Sequence, residues 1–170
     1  MLRRIDEMLN CPTVPLNAPT EAEWAEFEAA YCKFPHDFKV FLSQFGTGCI
    51  DEFLWFLSPV SPNENLNLTV QLERQLQALR ESCDLGLPLF PEEGGILPFG
   101  ITDNGDLLAW RTHGIPDEWG VVVVDSRAPE YVEFRQSFSR LVAGLLSGET
   151  KCTLFPADFP SDRPKFRPAG

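Results

Sequence analysis

Ile96-Leu97-Pro98-Phe99-Gly100-Ile101, then Thr102-Asp103-Asn104-Gly105-Asp106, then Leu107-Leu108-Ala109-Trp110-Arg111 is the stretch that decides the fold. Two apolar runs flank a polar turn. Asn104-Gly105 favours a type I′ turn, whose twist matches that of antiparallel strands. Gly114 to Glu118 forms another turn, and Trp119 to Asp125, with Val121 to Val124 suited to sheet burial, supplies the next strand. The centre of the chain therefore reads as an antiparallel meander.

Working outward, the flanks are helical. Thr20 to Glu23 has the capping-box form T-x-x-E, which satisfies two orphan backbone donors at a helix start. Trp24, Phe27, Ala30 and Tyr31 then share one stripe, with Glu21, Glu23, Glu26 and Glu28 mostly on the other side. Phe34-Pro35-His36-Asp37-Phe38 restarts the chain into a helix with Phe38, Phe41, Leu42 and Phe45 at i, i+3, i+4 and i+7, stopped by Gly46. Residues 49–57 are short and aromatic, and read as one strand with Phe53, Trp55 and Leu57 on one face. Residues 66–84 return to helical spacing through Leu68, Leu72, Leu76, Leu79 and Cys83. Phe138, Leu141, Val142, Leu145 and Leu146 form a last amphipathic helix, ending at Gly148. This order predicts an α+β fold, a central antiparallel sheet with helices packed on it.

The boundaries follow from composition. Residues 1–19, with Pro12, Pro15 and Pro19, read as a loosely attached leader with room for one short helical turn. Residues 20–150 form the domain. Residues 151–170, with Pro156, Pro160, Pro164 and Pro168, read as a Pro-rich, extended or disordered tail. A length of 170 residues fits one domain, and 44% hydrophobic residues with 14 Phe suffice for a core. Asp6 and Glu7 break any apolar run after Arg3-Arg4, so no signal peptide is expected, and no apolar window is long enough for a membrane helix.

Charge narrows the function. The chain carries 25 acidic and 14 basic side chains, a formal −11. Residues 21–125 hold 18 acidic and 5 basic side chains, a net −13, and the remaining residues 7 and 9, a net +2. Such a surface repels phosphate backbones and anionic lipid, so neither nucleic acid nor membrane is an expected partner. A basic protein partner fits. Cys11, Cys32, Cys49, Cys83 and Cys152 are odd in number and irregular in spacing, without a C-x-x-C. Free thiols in a reducing cytoplasm are expected, and no metal site.

Catalytic patterns are sparse. Asp103/Asp106 and Asp117/Glu118 are the close carboxylate pairs on turns, and turn chemistry explains both, because Asp bonds its own backbone there. Cys49 could meet His36 or His113 only through the fold. Neither Gly94-Gly95 nor Gly46-x-Gly48 has a phosphate-binding pattern. No catalytic residue and no cofactor is expected. Trp110 and Trp119 flank acidic turns, an arrangement common at interfaces.

The sequence resembles the SMI1/KNR4 (SUKH) family. Phe34-Pro35-His36-Asp37-Phe38-Lys39-Val40-Phe41-Leu42, running to Gly46, is similar to the family's Leu-Pro-x-Asp-Tyr-Lys-x-Phe-Leu helix, with Phe34 and Phe38 replacing the usual Leu and Tyr. Leu97-Pro98-Phe99-Gly100, Asn104-Gly105-Asp106 and Trp110 resemble its central hairpin. Pro116-Asp117-x-Trp119 with Val121-Val122 resembles the next strand entry, and Phe134, Ser137-Phe138, Leu141 and Leu145 to Gly148 its closing helix. The resemblance covers about residues 20–150. It implies an α+β domain whose bacterial members are typically immunity proteins that bind polymorphic toxins, many of them nucleases. Fungal members are regulatory interaction proteins, and neither branch is an established enzyme class.

The reading that results is a cytoplasmic immunity protein that binds and neutralises a cognate, basic toxin. Its expected contact set is Glu92, Glu93, Asp103, Asp106, Asp117, Glu118 and Trp119. The alternatives are a regulatory scaffold module without a toxin and a small hydrolase using Asp103/Asp106 or Cys49.

Overall fold

The computed structural model describes residues 2–82 and 85–169. Along the chain run α1 (Leu2–Met8), α2 (Glu21–Ala30), α3 (His36–Phe45), β1 (Gly48–Ile50), β2 (Leu54–Phe56) and α4 (Leu68–Ser82). Then follow β3 (Ile96–Thr102), β4 (Leu107–Arg111), a 3₁₀ turn (Pro116–Glu118), β5 (Gly120–Val124), β6 (Tyr131–Phe134), α5 (Phe138–Ser147) and β7 (Phe166–Pro168). The strands form one sheet in the order β6-β5-β4-β3-β2-β1-β7, antiparallel throughout. The α+β architecture is as the sequence predicts. Cys83, the end of the expected α4 stripe, lies outside the described residues.

Alternation along each strand splits the sheet into two faces. Leu97, Leu108, Trp110, Val121 and Val123 face the main core, which α3 and α5 cover with Phe38, Phe41, Phe138 and Leu141. Ile96, Leu107, Ala109, Val122 and Val124 face a smaller cluster closed by Leu79, Leu85, Leu87 and Leu89. The ladder shifts register between Pro98 and Gly100. The extra residue, Phe99, turns to the main core and stacks on Trp110 at 4.3 Å. Proline, which donates no N–H, is tolerated at such a bulge. Gly100 is needed there because a Cβ would stand 2.8 Å from the Trp55 carbonyl oxygen.

Several expectations are corrected. Residues 49–57 are not one strand but the β1–β2 hairpin. Asp51 and Glu52 make its turn at φ 51° and 56°, and Gly48 pairs with Phe56. Alternation then puts Leu54 and Phe56 into the main core and Trp55 on the opposite face. The Asn104-Gly105 turn is not type I′, since Asn104 does not have a positive φ. Gly105 donates to the Thr102 carbonyl, and Thr102 to that of Asp106. This is a three-residue loop closed by Gly105 at φ 90°.

The leader is not loosely attached: α1 packs on α5, and Ile5 and Leu9 are 0% and 2% exposed. Nor is the tail extended or disordered. Phe166 is buried in the main core, and β7 pairs with β1. Prolines break helices and ladders, but they do not prevent the intervening apolar residues from docking.

Glu28 is also misplaced by the periodicity, for its side chain is 4% exposed. It accepts hydrogen bonds from Lys39 Nζ at 2.7 Å, the Phe34 amide at 3.0 Å and Lys33 Nζ at 3.0 Å. Burial pushes its carboxyl up. The bonds from Lys39, the Phe34 amide and Lys33 together outweigh that, and hold it below the ordinary 4.5. A lowered folded-state pKa means stability that is fully present above pH 4.5 and lost as the pH falls through the folded value. Glu28→Gln should therefore cost about 2 kcal/mol at pH 7, the scale of bonds to a charged group. The variant should lose less stability than the natural chain on acidification below pH 4.5, as read by urea midpoints against pH.

Candidate functional site

The carboxylates singled out by the sequence divide into internal staples and free surface groups. Asp106 is 4% exposed. Its carboxylate accepts from the Thr102 hydroxyl at 2.9 Å and the Ser126 amide at 3.1 Å, tying the β3–β4 hairpin to the end of β5. It is not available to a partner. Asp117 accepts from the His36 amide at 2.6 Å. This caps α3 from outside, where Pro35 supplies no side-chain cap. Asp37, in the first turn of α3, does the same for α5 by accepting from the Ser139 amide at 2.9 Å. Asp51 holds the C-terminal segment through the Ser161 and Lys165 amides, both at 2.9 Å.

A chain of carboxylate caps thus joins the 3₁₀ turn to α3 and α3 to α5. Each meets orphan amides and the positive end of a helix dipole. Asp117→Ala should cost about 1 kcal/mol, the usual price of a lost cap. Glu118→Gln, one residue on and exposed, should cost nothing measurable. Thermal unfolding of the two variants checks the pair.

Trp119 is not an exposed anchor. It is 6% exposed, joins the main core beside Trp110, and donates from Nε1 to the Gly114 carbonyl at 3.2 Å. Trp110 is 0% exposed. Both fill the core where the sequence suggested an interface.

The remaining acids do not form one patch. Glu92, Glu93, Asp117 and Glu118 lie where β3 begins and β4 ends, joined by the bond from the Gly94 amide to the Thr112 carbonyl. Asp103 lies at the other end of β3, bonded through its amide to the Phe53 carbonyl. Seven residues of strand at ~3.4 Å each put about 20 Å between the two ends. At the Glu93 end, His113 Nδ1 stands 3.9 Å from the Glu93 carboxylate.

At the Asp103 end a groove of about 530 Å³ runs between the β1–β2 turn, the β3–β4 turn and the C-terminal segment. Sequence reasoning missed it, because Asp158 and Phe159 reach it only through the folded tail. A second groove, of about 340 Å³, lies between α2 and α3 beside Trp24, Glu28 and Lys39. Its Glu28 carboxylate is already paired with Lys39.

Nucleophilic chemistry gains nothing from the fold. Burial pushes the Cys49 thiol to about 11, opposed by a hydrogen bond with the Glu52 backbone and the charge of Arg167. It is therefore protonated at neutral pH and a poor nucleophile. Cys32 is likewise pushed to about 11 by burial, with the Glu28 charge adding to it. His36 and His113 are both exposed, far from the buried Cys49 in character. Among the described residues no group of three His, Cys, Asp or Glu could hold a metal ion, and no helix is long and apolar enough to cross a membrane.

Comparison with known proteins bears on the larger part of this architecture. No curated protein and no solved structure matches the chain. The family model described as SMI1 / KNR4 family (SUKH-1) matches residues 18–144. That span runs from the α2 capping box through the capped α3 and the meander into α5, the elements that supply most of the main core. The chain belongs to the SMI1/KNR4 (SUKH-1) family.

Proposed function

We propose that the protein is an immunity protein that binds a cognate toxin, a basic nuclease, and neutralises it stoichiometrically in the cytoplasm. The observation that carries the reading is the match to the SUKH-1 family over the bulk of the chain. The charge distribution supports it, with a net −13 concentrated in residues 21–125. A nuclease that holds phosphate presents cations, and an acidic surface meets them as its substrate would. The exposed carboxylates left for this role are Glu92, Glu93, Asp103 and Glu118. Asp106 and Asp117 are employed inside the fold, and Trp119 is buried.

Co-expression with the toxin encoded beside it tests the reading. Growth should be restored and a 1:1 complex recovered. The absence of both protection and a complex would overturn it, and recovery of a housekeeping partner instead would favour a regulatory module. Association should also be steered by charge. Raising the ionic strength from about 0.02 to 0.5 M should slow association at least about tenfold and leave dissociation nearly unchanged. Stopped-flow traces across a salt series check this.

A further inference from the structure

We infer that the groove at the Asp103 end of the sheet is the docking site for an arginine-bearing segment of the protein partner. This rests on the toxin-binding reading above and names the surface and the chemistry that meet. The groove combines an aromatic wall with unneutralised acid. Phe53 and Phe159 pack with ring centroids 4.8 Å apart, so the wall is fixed by the core rather than by a mobile loop. Trp55 lines it from β2 and is half-buried. The other three tryptophans, Trp24, Trp110 and Trp119, are at most 6% exposed.

The charges there are unequal. Four carboxylates, Asp51, Glu52, Asp103 and Asp158, face one guanidinium, Arg167. Glu52 pairs with Arg167 at 2.6 Å, and Asp51 is held by the Ser161 and Lys165 amides. Among the described residues, the carboxylates of Asp103 and Asp158 have no hydrogen-bond or ionic partner. They lie on different segments, a hairpin turn and the C-terminal tail, and so flank the groove.

A guanidinium suits this arrangement. Its plane stacks on an aromatic face while its edge donates to carboxylates, a combination that an ammonium does not match. The opposite end of the sheet has exposed acid in Glu92 and Glu118, but its tryptophan, Trp119, is buried, and Asp117 is bonded to the α3 amide.

The test uses the full chain and a blocked tetra-arginine peptide at low ionic strength, read by tryptophan emission and calorimetry. Binding should change the emission and saturate. Asp103→Lys/Asp158→Lys should weaken it at least tenfold. Glu21→Lys/Glu26→Lys, an equal charge change on the exposed face of α2 away from the groove, should weaken it less than threefold. Trp55→Phe should keep the affinity within threefold and lose the emission change. Equal weakening by the two lysine pairs, or an unaltered emission change in Trp55→Phe, would overturn the inference. The same pairs in the co-expression assay keep the two proposals apart. Protection lost in Asp103→Lys/Asp158→Lys and kept in Glu21→Lys/Glu26→Lys supports both. Protection kept in both pairs overturns the groove and leaves the immunity reading standing. No protection by the natural chain, with the peptide result intact, overturns the immunity reading and leaves an arginine-binding groove.

Discussion

Phe41→Ala should lower the stability of the folded protein by about 3–5 kcal/mol, the range for truncating a fully buried aromatic ring. The ring is 0% exposed. It stacks on Phe45 at 4.6 Å and meets Phe56 at 4.7 Å, Phe138 at 5.2 Å and Phe166 at 6.1 Å. Those neighbours belong to α3, β2, α5 and β7, so no single element can shift to fill the void. The cavity term therefore adds to the lost transfer free energy. In urea the midpoint should fall with the slope unchanged, since the surface exposed on unfolding is nearly the same. Phe41→Leu, which keeps most of the volume, should cost about 1 kcal/mol. A loss under about 1 kcal/mol in Phe41→Ala would place the ring outside a close-packed core.

How much of this was legible in the sequence depends on the range of the signal. The stripes of α3 and α5 and the β3–β4–β5 meander carry periods of 3.6 and 2, which a short window reveals. Gly46 stops α3 as expected. It also has to be glycine for a reason no window contains: a Cβ there would meet the Leu16 carbonyl oxygen at 2.2 Å. The β1–β2 turn was illegible because Asp51 and Glu52, rather than glycines, take the left-handed backbone. The continuous aromatic run after them masks the reversal. Strand β6 was missed because Tyr131–Phe134 alternates weakly at an exposed sheet edge.

The candidate site divides in the same way. That the domain is acidic was readable from composition, and family membership from the order of its motifs. The use of each carboxylate was not. Asp117 sits 81 residues from the amide it caps, and Asp37 sits 102 residues from its own. Both therefore look like ordinary turn or first-turn acids in the sequence. The free acids at the Asp103 end include Asp158, contributed by a segment whose prolines suggested that it would not fold at all.

That segment carries the other large effect. Phe166→Ala should cost about 3 kcal/mol, near the lower end for buried Phe because it lies at the sheet edge. The ring is 8% exposed and packs on Phe45 at 5.1 Å as well as on Phe41. It fits over β1 only because Gly48 has no side chain: a Cβ there would lie 2.6 Å from the Phe166 ring. Losing the ring also loosens β7, whose three residues pair with β1 and whose departure would bare a strand edge. Arg167→Ala provides the control. Its neighbouring side chain is exposed and paired only with exposed Glu52, so its loss should change stability by no more than about 0.5 kcal/mol. The two rings Phe41 and Phe166 touch, so the double alanine variant should lose less than the sum of the single ones, because one cavity serves both. Small and equal effects of Phe166→Ala and Arg167→Ala in urea unfolding would return residues 151–170 to a loosely attached tail. The groove that needs Asp158 and Phe159 would then lose one of its walls.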